Sequence, residues 1–333
     1  MRNDSPTSRS RRDFMKASSA AVAGTALVGC ETLVGEGGPR GFVDAHVHVW
    51  TPDTNAFPLA EGFAVKDIQP PSFTPEELLA IARAEGVSRV VLIQMSFYRF
   101  DNRYMLDAMR RFPGVFAGVG IVDESSVLVR DAMRSLAKQG VRGFRISPGR
   151  QQVDAWLGSA GMATMWATAA NENLAICPLI NPAALPAIAE MCAKFPRTRV
   201  VVDHFARIGV DGQMRESDLD NLCALGKFAN TFVKTSAFYA LGRKAMPYLD
   251  LAPMIRRLRD AFGARRLMWA SDCPYQVQGS HTYGASISLV RDRLDFLTTS
   301  DREWMLRKTA ETVFYAGLTE GPRQPQVRPA TGR

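Results

Sequence analysis

The chain has 333 residues, enough for one large α/β domain, and its 46% hydrophobic and 22% charged content is that of an ordinary globular enzyme. No run of 18 apolar residues occurs, which excludes an ordinary membrane-spanning helix, and the five cysteines form neither a Cys-x-x-Cys pair nor a zinc-finger spacing. Much of the net charge of +8 sits at the ends, in Arg2, Arg9, Arg11, Arg12 and Lys16 and in Arg323, Arg328 and Arg333, so it gives no support to a nucleic-acid partner.

In chain order, Ser10-Arg11-Arg12-Asp13-Phe14-Met15-Lys16 precedes a small-residue apolar run over 17–28. This looks like a twin-arginine export signal, and Leu27-Val28-Gly29-Cys30 looks like a lipoprotein cleavage box with Cys30 as the lipidated residue. The expected division is a signal over 1–30, a linker over 31–40, one body over 41–318 and a disordered tail over 319–333. The expected location is the periplasm or a membrane tether, with Cys30 as the sole membrane contact.

From residue 41 short apolar runs alternate with helical periodicities. Strands are expected at 42–49, 88–95, 115–122, 141–146, 174–180, 199–204, 231–236 and 266–271. Thr74-Pro75-Glu76-Glu77 reads as an N-cap, a proline at the first position and an acidic first turn. The other helices are placed near 102–111, 125–138, 160–171, 182–194, 216–227, 249–262 and 284–297. A further helix is expected at 300–316. Segments 51–72, 96–103, 147–158 and 273–284 read as loops. Eight strands alternating with eight helices imply a parallel sheet closed into a (β/α)8 TIM-type barrel with an extra C-terminal helix. The competing open doubly wound sheet lacks its Gly-rich dinucleotide fingerprint.

In such a barrel chemistry collects at the C-terminal ends of strands. There are four histidines, and His46 and His48 fall one residue apart at the end of the first strand. Simple alternation sends Asp44, His46 and His48 to one face. Gln94 ends the second strand, with Val91, Ile93 and Met95 on the opposite face. Arg145 ends the fourth and points inward between the apolar Phe144 and Ile146. Cys177 is inward on the fifth. Asp203-His204 end the sixth, Lys234-Thr235-Ser236 the seventh and Ser271-Asp272-Cys273-Pro274 the eighth. Any one of these can be a satisfied polar strand end; their joint placement is what points to a site. His281 reads as a rim residue.

On these residues the sequence resembles the amidohydrolase superfamily, in its amidohydrolase-related branch. The matching stretches are Asp44 to Trp50, Val202-Asp203-His204 and Ala270 to Pro274. Gln94 with Asp101-Asn102, and Gly140 to Arg145, look like the lactonase group of that branch. The resemblance implies a barrel that hydrolyses a small ester-like substrate; decarboxylases share the branch. Many metal-dependent members carry histidine where Cys177 stands, and Arg145 stands on the strand that would carry a carboxylated lysine. A two-metal centre is therefore not expected. The remaining choices are no metal, or one zinc or manganese ion on His46, His48 and Asp272, with Cys177 as a conceivable soft ligand.

The expected reaction is water attack on a lactone carbonyl. Asp272 is the candidate general base, and His46, His48 and His204 polarise the carbonyl. Arg145 holds a substrate carboxylate, and Gln94, Tyr98, Lys234 and Ser236 orient the substrate. Two alternatives are a metal-dependent non-oxidative decarboxylase of an unsaturated or aromatic acid, and a non-catalytic lipoprotein that binds a small carboxylate. A homo-oligomer is compatible with the helical faces.

Overall fold

The structure is a computed structural model and describes residues 41–149 and 151–318. The leader with Cys30, the linker and the tail beyond residue 318 lie outside the described residues. Strands β1 (Phe42–Val47), β2 (Val87–Ile93), β3 (Phe116–Gly120), β4 (Val141–Ile146), β5 (Ala175–Pro178), β6 (Arg199–Val202), β7 (Thr231–Thr235) and β8 (Leu267–Trp269) pair in sequence order, every neighbour parallel. The ring closes just past the ends of β8 and β1. There the Asp272 N–H donates to the His46 carbonyl (2.9 Å) and the His48 N–H to the Cys273 carbonyl (2.8 Å). This is the expected barrel.

The helices wrap it: α1 (Pro75–Ala84), α2 (Arg103–Arg111), α3 (Val129–Lys138), α4 (Val153–Leu157), α5 (Ala160–Asn171), α6 (Leu185–Lys194), α7 (Glu216–Ala224), α8 (Ala252–Phe262), α9 (Tyr283–Ser288) and α10 (Thr299–Glu303). The N-cap read at Thr74 is formed: its Oγ1 accepts the Glu77 N–H (3.3 Å) and Glu77 Oε2 accepts the Thr74 N–H (2.6 Å). α4 falls inside a segment read as loop. Its single turn is too short to show a period, yet it buries Trp156 and Leu157.

Two apolar layers flank the strands. The outer one packs Leu92, Phe144, Ile176, Val202 and Trp269 against the helices. The inner one contains Val43, Ala45, Val91, Ile93, Cys177 and Val201. Beyond α10 the chain continues in wide turns, Trp304–Lys308 and Glu311–Tyr315, and delivers Phe314 and Tyr315 to the inner layer. The Tyr315 hydroxyl donates to the Val90 (2.8 Å) and Val115 (2.9 Å) carbonyls near the strand starts, so this segment floors the barrel.

The layers correct two expected orientations. Val91 and Ile93 face inward, so Gln94 turns to the loop that follows β2. Its Nε2 donates to the Asp101 (2.7 Å) and Arg99 (3.2 Å) carbonyls. Asp44 points out of the barrel, for a reason that lies in β1 itself.

Candidate active site

β1 is not a regular strand. Asp44 lies opposite Val90 and Val47 opposite Leu92, so three steps on β1 match two on β2. One extra residue is a β-bulge, which resets the phase of alternation. Before it, Val43 and Ala45 face the inner layer and Asp44 faces out. After it, Val47 faces out, and His46 and His48 both reach inward. Asp44 instead ties β1 to its surroundings: Oδ1 accepts the Ser271 (2.9 Å) and His46 (3.2 Å) N–H groups, and Oδ2 accepts the Tyr283 hydroxyl of α9 (2.7 Å). Burial outweighs these hydrogen bonds and pushes its carboxyl up to about 6.

The other strand ends bend sharply as they deliver their side chains. His204 through Arg207 all have positive φ (50° to 61°), and Asp272 sits at φ 67°. Non-glycine residues in this left-handed region cost roughly 1–2 kcal/mol each, a cost that functional turns commonly carry.

The result is a buried cluster centred on Asp272 Oδ1. His48 Nε2 lies 3.5 Å from it, His46 Nε2 3.6 Å and His204 Nε2 3.8 Å. The second oxygen, Oδ2, accepts the Tyr239 hydroxyl at 2.8 Å. Burial alone would raise the Asp272 carboxyl, but His204, His48 and His46 outweigh it and hold the group below the usual carboxylate range. His204 is held down to about 4, first by burial, with Asp272 opposing the shift. Its Nδ1 lies 2.8 Å from Ser236 Oγ. His48 Nδ1 lies 2.9 Å from the Ile93 carbonyl, which can only accept, so Nδ1 carries a hydrogen and the ring is held with Nε2 toward the cluster.

A second layer of charge lies beneath His46. Asp203 Oδ1 is 3.0 Å from Lys234 Nζ and 3.3 Å from His46 Nδ1, while Oδ2 accepts from Arg145 Nη2 (3.2 Å) and Nε (3.3 Å). Burial opposes the Asp203 charge, and Lys234, His46 and Arg145 outweigh it, keeping the carboxyl well below its ordinary range. His46 itself is kept neutral, by burial first and then by Lys234 and His204. Lys234 also lies 3.1 Å from His46 Nδ1, but an ammonium offers only donors. Arg145 likewise offers only donors, so a neutral ring can accept from just one of the two cations, and the shorter contact is at Nε2. Arg145 Nη2 meets the Nε2 lone pair at 2.9 Å.

The structure thus brings together His46, His48, His204, Asp272 and Arg145. Lys234 and Ser236, expected to orient substrate, are fully buried and contact the histidines instead. Tyr98 lies against Phe97 and Tyr104 in the loop wall, its hydroxyl accepting the Thr51 N–H at 3.5 Å. His281 bonds the Tyr248 hydroxyl at 2.9 Å on the rim. Three residues had no role in the sequence reading. Asp203 shares the inward face of Val201, so alternation along β6 could have found it. Tyr239 follows a left-handed turn at Ala237 (φ 56°), and Tyr275 packs edge-on to His48; neither carries a local signal.

The donor spacing suits one divalent ion. His46 Nε2, His48 Nε2 and Asp272 Oδ1 are 3.3, 3.5 and 3.6 Å apart, close to the edge of about 3.4 Å set by tetrahedral bonds of about 2.1 Å. His46, His204 and Asp272 likewise offer ligand atoms within 4.8 Å of one another, and Cys177 is not in that group. Burial pushes the Cys177 thiol up to about 12.

The amidohydrolase family model matches residues 43–315. The chain is 29% identical over 249 residues to the L-fucono-1,5-lactonase of Burkholderia ambifaria, covering 73% of this chain and 84% of that one. It is 29% identical over 256 residues to the 2-pyrone-4,6-dicarboxylate hydrolase of Comamonas testosteroni, covering 73% and 80%. In fold it is similar to the "probable 2-pyrone-4,6-dicarboxylic acid hydrolase" of Acinetobacter baumannii, solved with citric acid bound. There the TM-score is 0.71 at 20% identity, over 83% of this chain and 99% of that one. The chain belongs to the amidohydrolase family.

Proposed function

We propose that this chain hydrolyses a small lactone, either carboxylate-bearing or sugar-derived. The observation that carries the reading is the single carboxylate oxygen, Asp272 Oδ1, ringed by three imidazole nitrogens with a guanidinium on one of them. That set offers a proton acceptor, Asp272, and a cationic donor, Arg145, to one reacting centre, which is what ester opening requires. The lactone names of the sequence relatives support the same class.

Water held by Asp272 Oδ1 gives up a proton to it as the water oxygen attacks the ring carbonyl carbon. A carboxylate this acidic is a weak base, so transfer accompanies attack rather than preceding it. Charge gathers on the carbonyl oxygen, where the Arg145 guanidinium can meet it. The ring C–O bond then breaks, and the leaving oxygen takes the proton back from Asp272, which its low pKa makes a willing donor. Tyr239 fixes the other carboxylate oxygen throughout. Arg145 retains Nη1 for a substrate carboxylate while Nη2 and Nε hold Asp203. One divalent ion held by His46, His48 and Asp272, with Arg145 displaced from His46, would add Lewis-acid polarisation and a more acidic water.

The test is turnover of a panel of sugar 1,5-lactones and pyrone carboxylates, followed by proton release. Asp272→Asn is expected to lower kcat by roughly 10²–10⁴-fold while KM changes little. Full activity in that variant would refute the assignment. Carbon dioxide release from an unsaturated acid, without lactone opening, would replace hydrolysis with decarboxylation. The leader sequence supports a further part of the reading, delivery by the twin-arginine route and tethering through Cys30.

A further inference from the structure

His46 is the one member of the cluster with cations at both ring nitrogens. Lys234 Nζ stands 3.1 Å from Nδ1 and Arg145 Nη2 stands 2.9 Å from Nε2. Asp203, wedged below, pairs with both cations and stands 3.3 Å from Nδ1; with the shorter cation contact at Nε2, the ring's one lone pair is placed there. The Nε2 lone pair is then already consumed in a charge-assisted hydrogen bond. That lone pair is the one a divalent ion would need, and the guanidinium cannot give up its charge to make room.

We infer that Arg145 is the resident cation of this site, holding His46 against divalent metals. To bind an ion through His46, the protein must break the Arg145–His46 bond and place a double positive charge beside the displaced guanidinium. Asp203 keeps Arg145 from leaving: two of its donors bond one carboxylate oxygen, and its side chain is only 10% exposed. Affinity for metal is therefore set as much by this strand-β4 side chain as by the ligands. The inference rests on the metal-type donor set and not on the substrate class, so an inactive protein could still satisfy it and an active lactonase could contradict it.

The test is zinc binding to the full-length chain by isothermal titration calorimetry, after chelator treatment and dialysis. Arg145→Met is expected to bind zinc roughly ten- to hundredfold more tightly than wild type, the worth of one hydrogen bond to a charged group. Arg145→Gln removes the charge but keeps a donor for Asp203, and it should also tighten binding. Equal or weaker binding in both variants, with their near-ultraviolet circular dichroism intact, overturns the inference. If both variants fail to fold, wild type decides through side-chain ¹⁵N spectra of arginine. Zinc that saturates the protein at one equivalent must shift the guanidinium signal bonded to His46. Tight binding that leaves this signal unmoved overturns the inference equally.

Discussion

Asp44 carries its charge in a fully buried place outside the catalytic cluster. Its carboxyl, raised to about 6 by burial, stays protonated in the fold at acidities where the unfolded chain has already ionised it. The folded state binds the extra proton, so the stabilising contribution is complete below the unfolded value and is lost as pH rises through 6. The loss is about 3 kcal/mol at 1.36 kcal/mol per pKa unit. An amide in its place has no such proton to lose, and its oxygen can still accept the Ser271 and His46 N–H groups. Asp44→Asn should therefore gain on wild type by up to about 3 kcal/mol between pH 4 and 7. Urea unfolding of both proteins across that range, with chelator present, measures it; parallel stability curves would refute it.

The same residue shows what was and was not legible in the sequence. The motif from Asp44 to His48 marks the site, and the histidines do reach it, but period-two alternation puts Asp44 with them on the wrong face. The bulge that separates them depends on how β1 meets β2, a long-range pairing that no local pattern encodes. Gln94 failed for a related reason. An inner layer made of Val91 and Ile93 is as apolar as the outer one, so hydrophobicity does not tell the two faces of a barrel strand apart. Arg145 and Cys177 were placed inward correctly because a polar or small residue there interrupts large apolar neighbours.

Among the elements, the segment after α10 does more than add a helix. Phe314 is fully buried in the inner layer, and Lys234 Nζ lies 5.5 Å from the centre of its ring. A buried ammonium over an aromatic face gains a cation–π contact in place of water. Phe314→Ala should cost about 3–5 kcal/mol of stability, the range for a truncated core aromatic. A matching drop in the denaturant midpoint checks this, and a change under about 1 kcal/mol would mean that Phe314 is not part of the core. The helical period over 300–316 was visible in the sequence. Its destination was not, because a helix pattern says which side is apolar and not which hole that side fills.

For the whole molecule, the barrel and the export leader are separate readings. The fold describes the body alone, and delivery is a proposal that rests on Ser10 to Cys30. Growth of a bacterial host with labelled palmitate should mark the full chain and leave Cys30→Ser unmarked. Label in both would move the lipid to another residue, and label in neither would remove the tether.

The floor laid by Phe314 and Tyr315 has a consequence for biogenesis. During translation the histidines of β1 emerge among the first residues of the body and the floor beneath them among the last. Until then Lys234 lacks the aromatic ring beneath it, β2 and β3 lack the tyrosine bolt across their starts, and the catalytic ring has nothing to close upon. Partial products that lack this segment should therefore be site-incompetent however many strands they contain.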